Sequence, residues 1–217
     1  MDQLKYFLAN LISEKRWELR HIVEVGVFKI EQVFFQGAIV DPTYRIQLIE
    51  ANPFFARQLQ DQLKASKHVM VHSVAIHHTQ GWVDLCVPDC VLGEHEAASS
   101  YVDGFFDSPY LARKRCGHHG EVGRIRVKSE RFEKYDDGTI DALVLDIEGG
   151  EWFVIQSLIS RPKVIIVELS GSCGFENQNR EKIEVWMELH GYQLMFISEE
   201  IDEELMTPVD YLYVRSE

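Results

Sequence analysis

No stretch of the chain approaches the roughly 18 uncharged apolar residues that a membrane-spanning helix needs; its longest apolar runs are strand-sized. A bilayer is therefore not an expected partner. The opening Met1-Asp-Gln-Leu-Lys-Tyr6 lacks the basic and apolar regions of a secretory signal, which makes a cytoplasmic location the expectation. Cysteine is scarce. Without a secretion signal, Cys86, Cys90, Cys116 and Cys173 are expected as free thiols rather than bridges. Positive charge is also in short supply: 22 Lys and Arg stand against 35 Asp and Glu, a formal charge of −13, and the bases are dispersed except at Arg113-Lys114-Arg115. Nucleic acid, which needs a basic face, is disfavoured as a partner. Glycine-rich phosphate loops are missing as well. There is no Gly-x-x-x-x-Gly-Lys-Ser/Thr, and Gly26 is followed by bulky Val27, Phe28 and Ile30 where a dinucleotide fingerprint would carry further glycines.

What is present reads as one α/β domain over residues 1–217. A hydrophobic fraction of 46% and a charged fraction of 26% argue against disorder. Leu4, Phe7, Leu8, Leu11 and Ile12 recur at helical spacing, which predicts an amphipathic helix over about 2–16. Strand-turn-helix units follow. His21 to Gly26 leads into a helical candidate at 28–36, and Arg45 to Glu50 leads into a helix begun at Pro53 and reaching about Lys64. His68 to Ile76 reads as a third strand, Gly81 to Val87 as an added one and Arg124 to Lys128 as another. Ala142 to Leu145 is a buried strand, with an amphipathic stretch from Trp152 to Ile159 behind it. Lys163 to Glu168 is a second buried strand, Glu176 to His190 a helix stopped by Gly191, and Gln193 to Ile197 pairs with Tyr211 to Val214. Residues 88–123 show no sustained period and read as a long lid-like insertion. The alternation predicts a doubly wound, mostly parallel seven-stranded sheet with an antiparallel edge strand, Rossmann-like, with one crevice at the strand ends.

Chemistry is expected along that rim. Asp146-Ile-Glu-Gly-Gly-Glu151 closes a buried strand with three carboxylates, and carboxylates beside so apolar a run need partners or a metal. The competing reading is a solvated turn in which Glu148 and Glu151 only cap the next helix. Glu50 ends the second strand some two dozen residues after Gly26, where an acid accepts hydrogen bonds from ribose hydroxyls; with Asn52 it could equally cap the helix that Pro53 begins.

The series Glu24-Val-Gly26, Leu48-Ile-Glu-Ala-Asn-Pro53, Ser73-Val-Ala75 with Gly81 after it, Leu145-Asp-Ile-Glu-Gly-Gly-Glu151 and Val164-Ile-Ile-Val-Glu168 resembles the FkbM family of S-adenosylmethionine-dependent methyltransferases over roughly residues 21–215. The resemblance implies a seven-stranded class I methyltransferase fold that methylates hydroxyl groups of sugars or secondary metabolites. It implies further that Glu24 and Gly26 line the methionine end of the cofactor, that Glu50, with Asn52 beside it, holds the ribose, and that Ser73, Val74 and Ala75 lie beside the adenine. Asp146 and Glu148 would then stand at the reacting centre. The chain departs from the family's first motif, Asp-x-Gly-Ala-x-x-Gly, with Glu24, Val27 and Ile30.

Three further readings stay open. A hydroxyl acceptor needs a base, and His78 joins Asp146 and Glu148 as a candidate, although adjacent His77 and His78 would point apart on a strand. A divalent ion such as magnesium would suit Asp146 and Glu168, at the ends of neighbouring strands. Cys86, Cys90, His95, Cys116, His118 and His119 are loosely compatible with zinc, although they match no standard ligand spacing. Against the leading reading, an O-methyltransferase with a small hydroxylated acceptor, stand two rivals. One is a methyltransferase-like scaffold whose cofactor site is degraded at Val27 to Ile30. The other is a metal-dependent enzyme of different chemistry.

Overall fold

A computed structural model of the chain describes residues 2–88, 101–102, 122–171, 175–198 and 208–216. Its elements run α1 (Asp2–Lys15), β1 (His21–Val25), α2 (Gln36–Ile39), β2 (Arg45–Glu50), α3 (Pro53–Leu63), β3 (Val69–Ser73), β4 (Ala75–Ile76), β5 (Gly81–Pro88), β6 (Tyr101–Val102) and β7 (Val122–Glu130). They continue with β8 (Ala142–Leu145), α4 (Glu151–Ile155), β9 (Val164–Gly171), β10 (Phe175–Glu176), α5 (Arg180–Leu189), β11 (Tyr192–Ile197) and β12 (Pro208–Arg215). The main sheet has the order β11-β12-β9-β8-β1-β2-β3, with the two-residue β10 added to β9. From β9 to β3 the strands are parallel; β12 runs antiparallel to both β9 and β11, and β11 forms that edge.

Central strands read as continuous apolar runs because both their faces are covered. On one face, Val23, Val25, Ile49, Leu143, Leu145, Ile165 and Val167 meet Val154 and Ile155 of α4 and Ile183 and Met187 of α5. On the other, Ile22, Ile46, Leu48, Ala142, Val164 and Ile166 meet Leu4, Leu8 and Leu11 of α1 and Leu59 and Leu63 of α3. The predicted apolar stripe of the first helix is thus the one it buries. Asn52 caps α3 through Phe54 N–H at 3.1 Å, with Pro53 in the first turn, as its side chain chemistry favours.

Four local expectations are corrected. Residues 28–36 form no helix: a 3₁₀ turn at Ile30–Gln32 and the four-residue α2 stand there instead. A partner outside the segment takes its backbone donors: the Glu24 carboxylate accepts the N–H groups of Phe34 and Phe35 at 2.9 and 3.0 Å. The third strand is not continuous. Val74 N–H donates to Glu50 O at 3.0 Å, and the chain then leaves the main sheet as β4. That strand enters a second sheet, β4-β7-β5-β6. Its small core of Ala75, Leu85, Val102 and Val127 packs against Ala51 and Phe153. The stretch Trp152 to Ile159 is helical only to Ile155, because Asp136 accepts the N–H groups of Ile159 and Ser160 at 2.7 and 2.8 Å and draws the chain off the helix axis. The helix expected from Glu176 starts at Arg180, since Glu176 already pairs with Ser170. Most of the lid-like insertion lies outside the described residues.

Candidate active site at the carboxyl ends of the parallel strands

Parallel strands β2, β1 and β8 end side by side, so Glu50, Gly26 and Asp146 share one rim. Gly26 sits at the tightest point. Its φ is +91°, its N–H donates to Ile49 O at 2.8 Å, and Asp146 N–H returns a bond to Val25 O at 3.0 Å. A Cβ at Gly26 would lie 1.6 Å from the Asp146 carbonyl oxygen, so only glycine lets the first turn touch the acidic turn.

Asp146 is exposed and Glu148 half-buried, while Glu168, which lies inside β9 rather than at its end as expected, is 3% exposed. One oxygen from each of these three carboxylates lies within 4.8 Å of the others. Glu148 holds φ +56°, a left-handed conformation uncommon outside glycine, and Gly149 follows at +99°. Glu151 is not the exposed cap that the competing reading expects. It is 1% exposed, and its Oε1 accepts Ile147 N–H at 3.1 Å and Gly149 N–H at 3.2 Å. Its Oε2 accepts from Asn177 Nδ2.

Burial dominates the electrostatics. Glu50, 8% exposed, accepts Asn52 N–H at 2.6 Å, yet burial first and the Asp146 charge second push its carboxyl up to about 8. Burial likewise raises Glu24 to about 7, and burial together with Asp146 raises Asp210 to about 7. Asp210 is placed here by strand register, opposite Glu168 on β12.

In an unfolded chain all three carboxyls ionise near their ordinary values, so above about pH 5 the folded form binds more protons. Stability then falls as pH rises toward 8, by about 1.4 kcal/mol per pH unit for each group still protonated. His21, His72 and His77, which burial holds below the ordinary histidine range, act in the opposite sense as the unfolded imidazoles lose their protons near 6.5. The melting temperature is therefore expected to drop between about pH 6.5 and 8, and calorimetric scans across that range check it; a rise would contradict the burial of these acids.

The remaining candidates take distinct places. Ser73 is exposed at the end of β3, whereas Val74 and Ala75 are 3% and 2% exposed in the two cores. His77 and His78 do not diverge as strand neighbours would. They lie beyond β4, with rings 4.1 Å apart and 4.9 and 5.1 Å from Phe153. Bulk at the first turn goes inward: Val27 is 4% exposed, and with Ile30 it packs into the α1 face of the core, while Phe28 sits edge-on to Phe55 at 4.3 Å. Of the zinc candidates, Cys86 is buried in β5; Cys90, His95, Cys116, His118 and His119 lie outside the described residues.

A family model described as the methyltransferase FkbM domain matches residues 24–194. The chain belongs to the FkbM methyltransferase family. It is accordingly an S-adenosylmethionine-dependent methyltransferase, and the family span reaches from Glu24 to the middle of β11, taking in Gly26, Glu50, Asp146, Glu148 and Glu168. Fibrillarin from Aeropyrum pernix, with natively bound S-adenosyl-L-methionine, is similar in fold at a TM-score of 0.50 and 12% identity, over 91% of this chain and 67% of that one. An O-methyltransferase from Bacillus cereus in complex with SAH aligns at 0.46 and 13%, over 99% and 82%. No curated protein matches the sequence. Among the described residues of this FkbM methyltransferase, no helix is long and apolar enough to cross a membrane. Two residues at its rim escape sequence reading. Asp210 was hidden by its place just before the expected strand at Tyr211, and Asn177 by its place inside an expected helix.

Proposed function

We propose that this enzyme transfers the methyl group of S-adenosylmethionine to a hydroxyl of a small cytoplasmic acceptor, such as a sugar or a secondary metabolite. The observation that carries the reading is the grouping of Glu50, Gly26 and Asp146 on one rim, with the Glu148 and Glu168 carboxylates beside Asp146. The donor set suits the cofactor. A buried carboxyl at Glu50 would accept the ribose hydroxyls, with Asn52 N–H holding that carboxyl in place. Gly26 would let the methionine end approach the backbone, Glu24 would hold that turn through Phe34 and Phe35, and Ser73 to Ala75 would flank the adenine. Packing of Val27 and Ile30 into the core and of Phe28 against Phe55 speaks against the scaffold alternative, which those three residues motivate.

Bound S-adenosylmethionine supplies an electrophilic methyl group on a sulfonium. Asp146, before Glu148, would take the acceptor's hydroxyl proton, and the rim would hold that oxygen in line with the methyl group. His78 is the remaining candidate base. An oxygen-only donor set of Asp146, Glu148 and Glu168 would also hold magnesium, which would lower the acceptor hydroxyl's proton affinity.

The test is transfer of labelled methyl to a panel of hydroxylated acceptors with and without EDTA. Asp146→Asn is expected to lower kcat by about 10²- to 10⁴-fold, the usual contribution of a positioned base. Methylation confined to nitrogen or carbon would refute the hydroxyl reading, unchanged turnover in Asp146→Asn would refute the base, and full turnover in EDTA would refute the metal.

A further inference from the structure

Glu151 differs from the other acids of the acidic turn in facing inward. Its Oε1 receives two N–H groups of the turn it follows, Ile147 and Gly149, and these flank Glu148, the residue held at φ +56°. Convergent N–H groups around a left-handed residue form a small anion nest, and here the occupant is the chain's own carboxylate. The other oxygen, Oε2, accepts from Asn177 Nδ2. Asn177 is 2% exposed and is fixed in turn, because its N–H donates to Leu169 O at 2.9 Å and its Oδ1 accepts Asn179 N–H at 2.9 Å. Leu169 immediately follows Glu168. One buried chain of hydrogen bonds therefore joins the turn bearing Asp146 and Glu148 to the strand bearing Glu168.

We propose that Glu151 and Asn177 are positioning residues, a clamp that sets the backbone of Ile147 to Gly149 and so the placement of Asp146 and Glu148 toward cofactor and acceptor. The reading rests on the function proposed above but is testable without it. Donor and acceptor directions dictate the design. In Glu151→Gln, an amide whose oxygen keeps the two backbone N–H groups turns its NH₂ on the Asn177 NH₂. Flipping Asn177 relieves that clash only by turning its NH₂ on Asn179 N–H, and flipping the introduced amide turns an NH₂ on the nest; every arrangement leaves one donor facing a donor. In Asn177→Asp, two carboxylates meet in a buried site. The double variant reverses the bond: the new amide donates to the new carboxylate, whose other oxygen keeps Asn179 N–H, and the net charge is unchanged.

Three full-length variants, Glu151→Gln, Asn177→Asp and the double, decide the matter by calorimetric titration with S-adenosylhomocysteine and by hydrogen exchange at the Ile147 and Gly149 amides. Each single variant is expected to weaken binding about tenfold, the 1.4 kcal/mol of one misplaced hydrogen bond, and to speed exchange at both amides by a similar factor. The double variant restores both to within about threefold of the wild type. Single variants that match the wild type in both readouts overturn the clamp, as does a double variant no better than the worse single, since a role in bulk stability alone would not recover on reversing one bond. If the wild type itself binds no S-adenosylhomocysteine, the functional reading fails, and exchange at the two amides still tests the clamp. Should one single variant fail to fold, the double and the other single carry the same comparison.

Discussion

Gly26→Ala is expected to weaken S-adenosylhomocysteine binding by on the order of 100-fold or more and to lower the melting temperature. Two costs combine. A side chain at φ +91° costs about 1–2 kcal/mol for a left-handed conformation. The new Cβ would also stand 1.6 Å from Asp146 O and 3.0 Å from Ile147 Cγ2, where ordinary contact begins at 3.4 Å. Because the Asp146 carbonyl is backbone, no rotamer relieves the overlap: either β1 and β8 separate at the rim or the acidic turn retreats. Both Gly26 N–H to Ile49 O and Asp146 N–H to Val25 O are at risk in that shift. Titration and thermal scans of the variant check the expectation, and binding within threefold of the wild type would show that the first turn and the acidic turn are not coupled.

Glu50→Gln is expected to act in opposite directions on stability and on binding. Burial holds this carboxyl near 8, so at pH 8 the folded wild type carries the cost of a buried charge that an amide does not have. The amide oxygen keeps the acceptor for Asn52 N–H. The variant should therefore melt higher at pH 8, by about 2–4 °C for each kcal/mol relieved in a chain of this size. That gain fades as pH falls toward the ordinary value of 4.5, below which the wild-type carboxyl is protonated in folded and unfolded chain alike. Cofactor affinity should fall about 10- to 100-fold, because ribose hydroxyls lose a charged acceptor that contributes roughly 1.5–3 kcal/mol. A variant that melts lower at pH 8 and binds as well as the wild type would remove Glu50 from the ribose site.

The fold was legible where physics is local. Alternating strands and helices, the α1 stripe from Leu4 to Ile12, the Asn52-Pro53 helix start and the closing β11–β12 pair follow from periodicity and capping chemistry, and the structure bears them out. It was illegible where a distant partner overrides the local pattern. Residues 28–36 carry helical spacing, but Glu24 from the strand before them consumes two of their N–H groups. Ser73 to Ile76 looks like the end of one strand, but beyond Val74, whose N–H still reaches Glu50 O, Ala75 and Ile76 pair with Ser129 and Glu130 in a second sheet. At the rim, motif spacing named Gly26, Glu50, Asp146, Glu148 and Glu168, whose coming together depends on parallel neighbours of fixed register. Asp210 arrives instead on an antiparallel strand from the far end of the chain, opposite Glu168, and no spacing along the sequence encodes that register. Direction is likewise hidden. Glu148 and Glu151 are three residues apart and identical in chemistry, yet one joins the carboxylate cluster and the other turns back into the backbone of its own loop.

Calorimetric titration of the full chain with S-adenosylmethionine and its demethylated product tests the central claim most directly. One molecule of each is expected to bind per chain, with a thermal shift to match and with affinity rising from about pH 6.5 to 8.5 as the Glu50 carboxyl, near 8 in the free protein, gives up its proton to become the better ribose acceptor. No heat and no thermal shift at millimolar ligand across that range would contradict it.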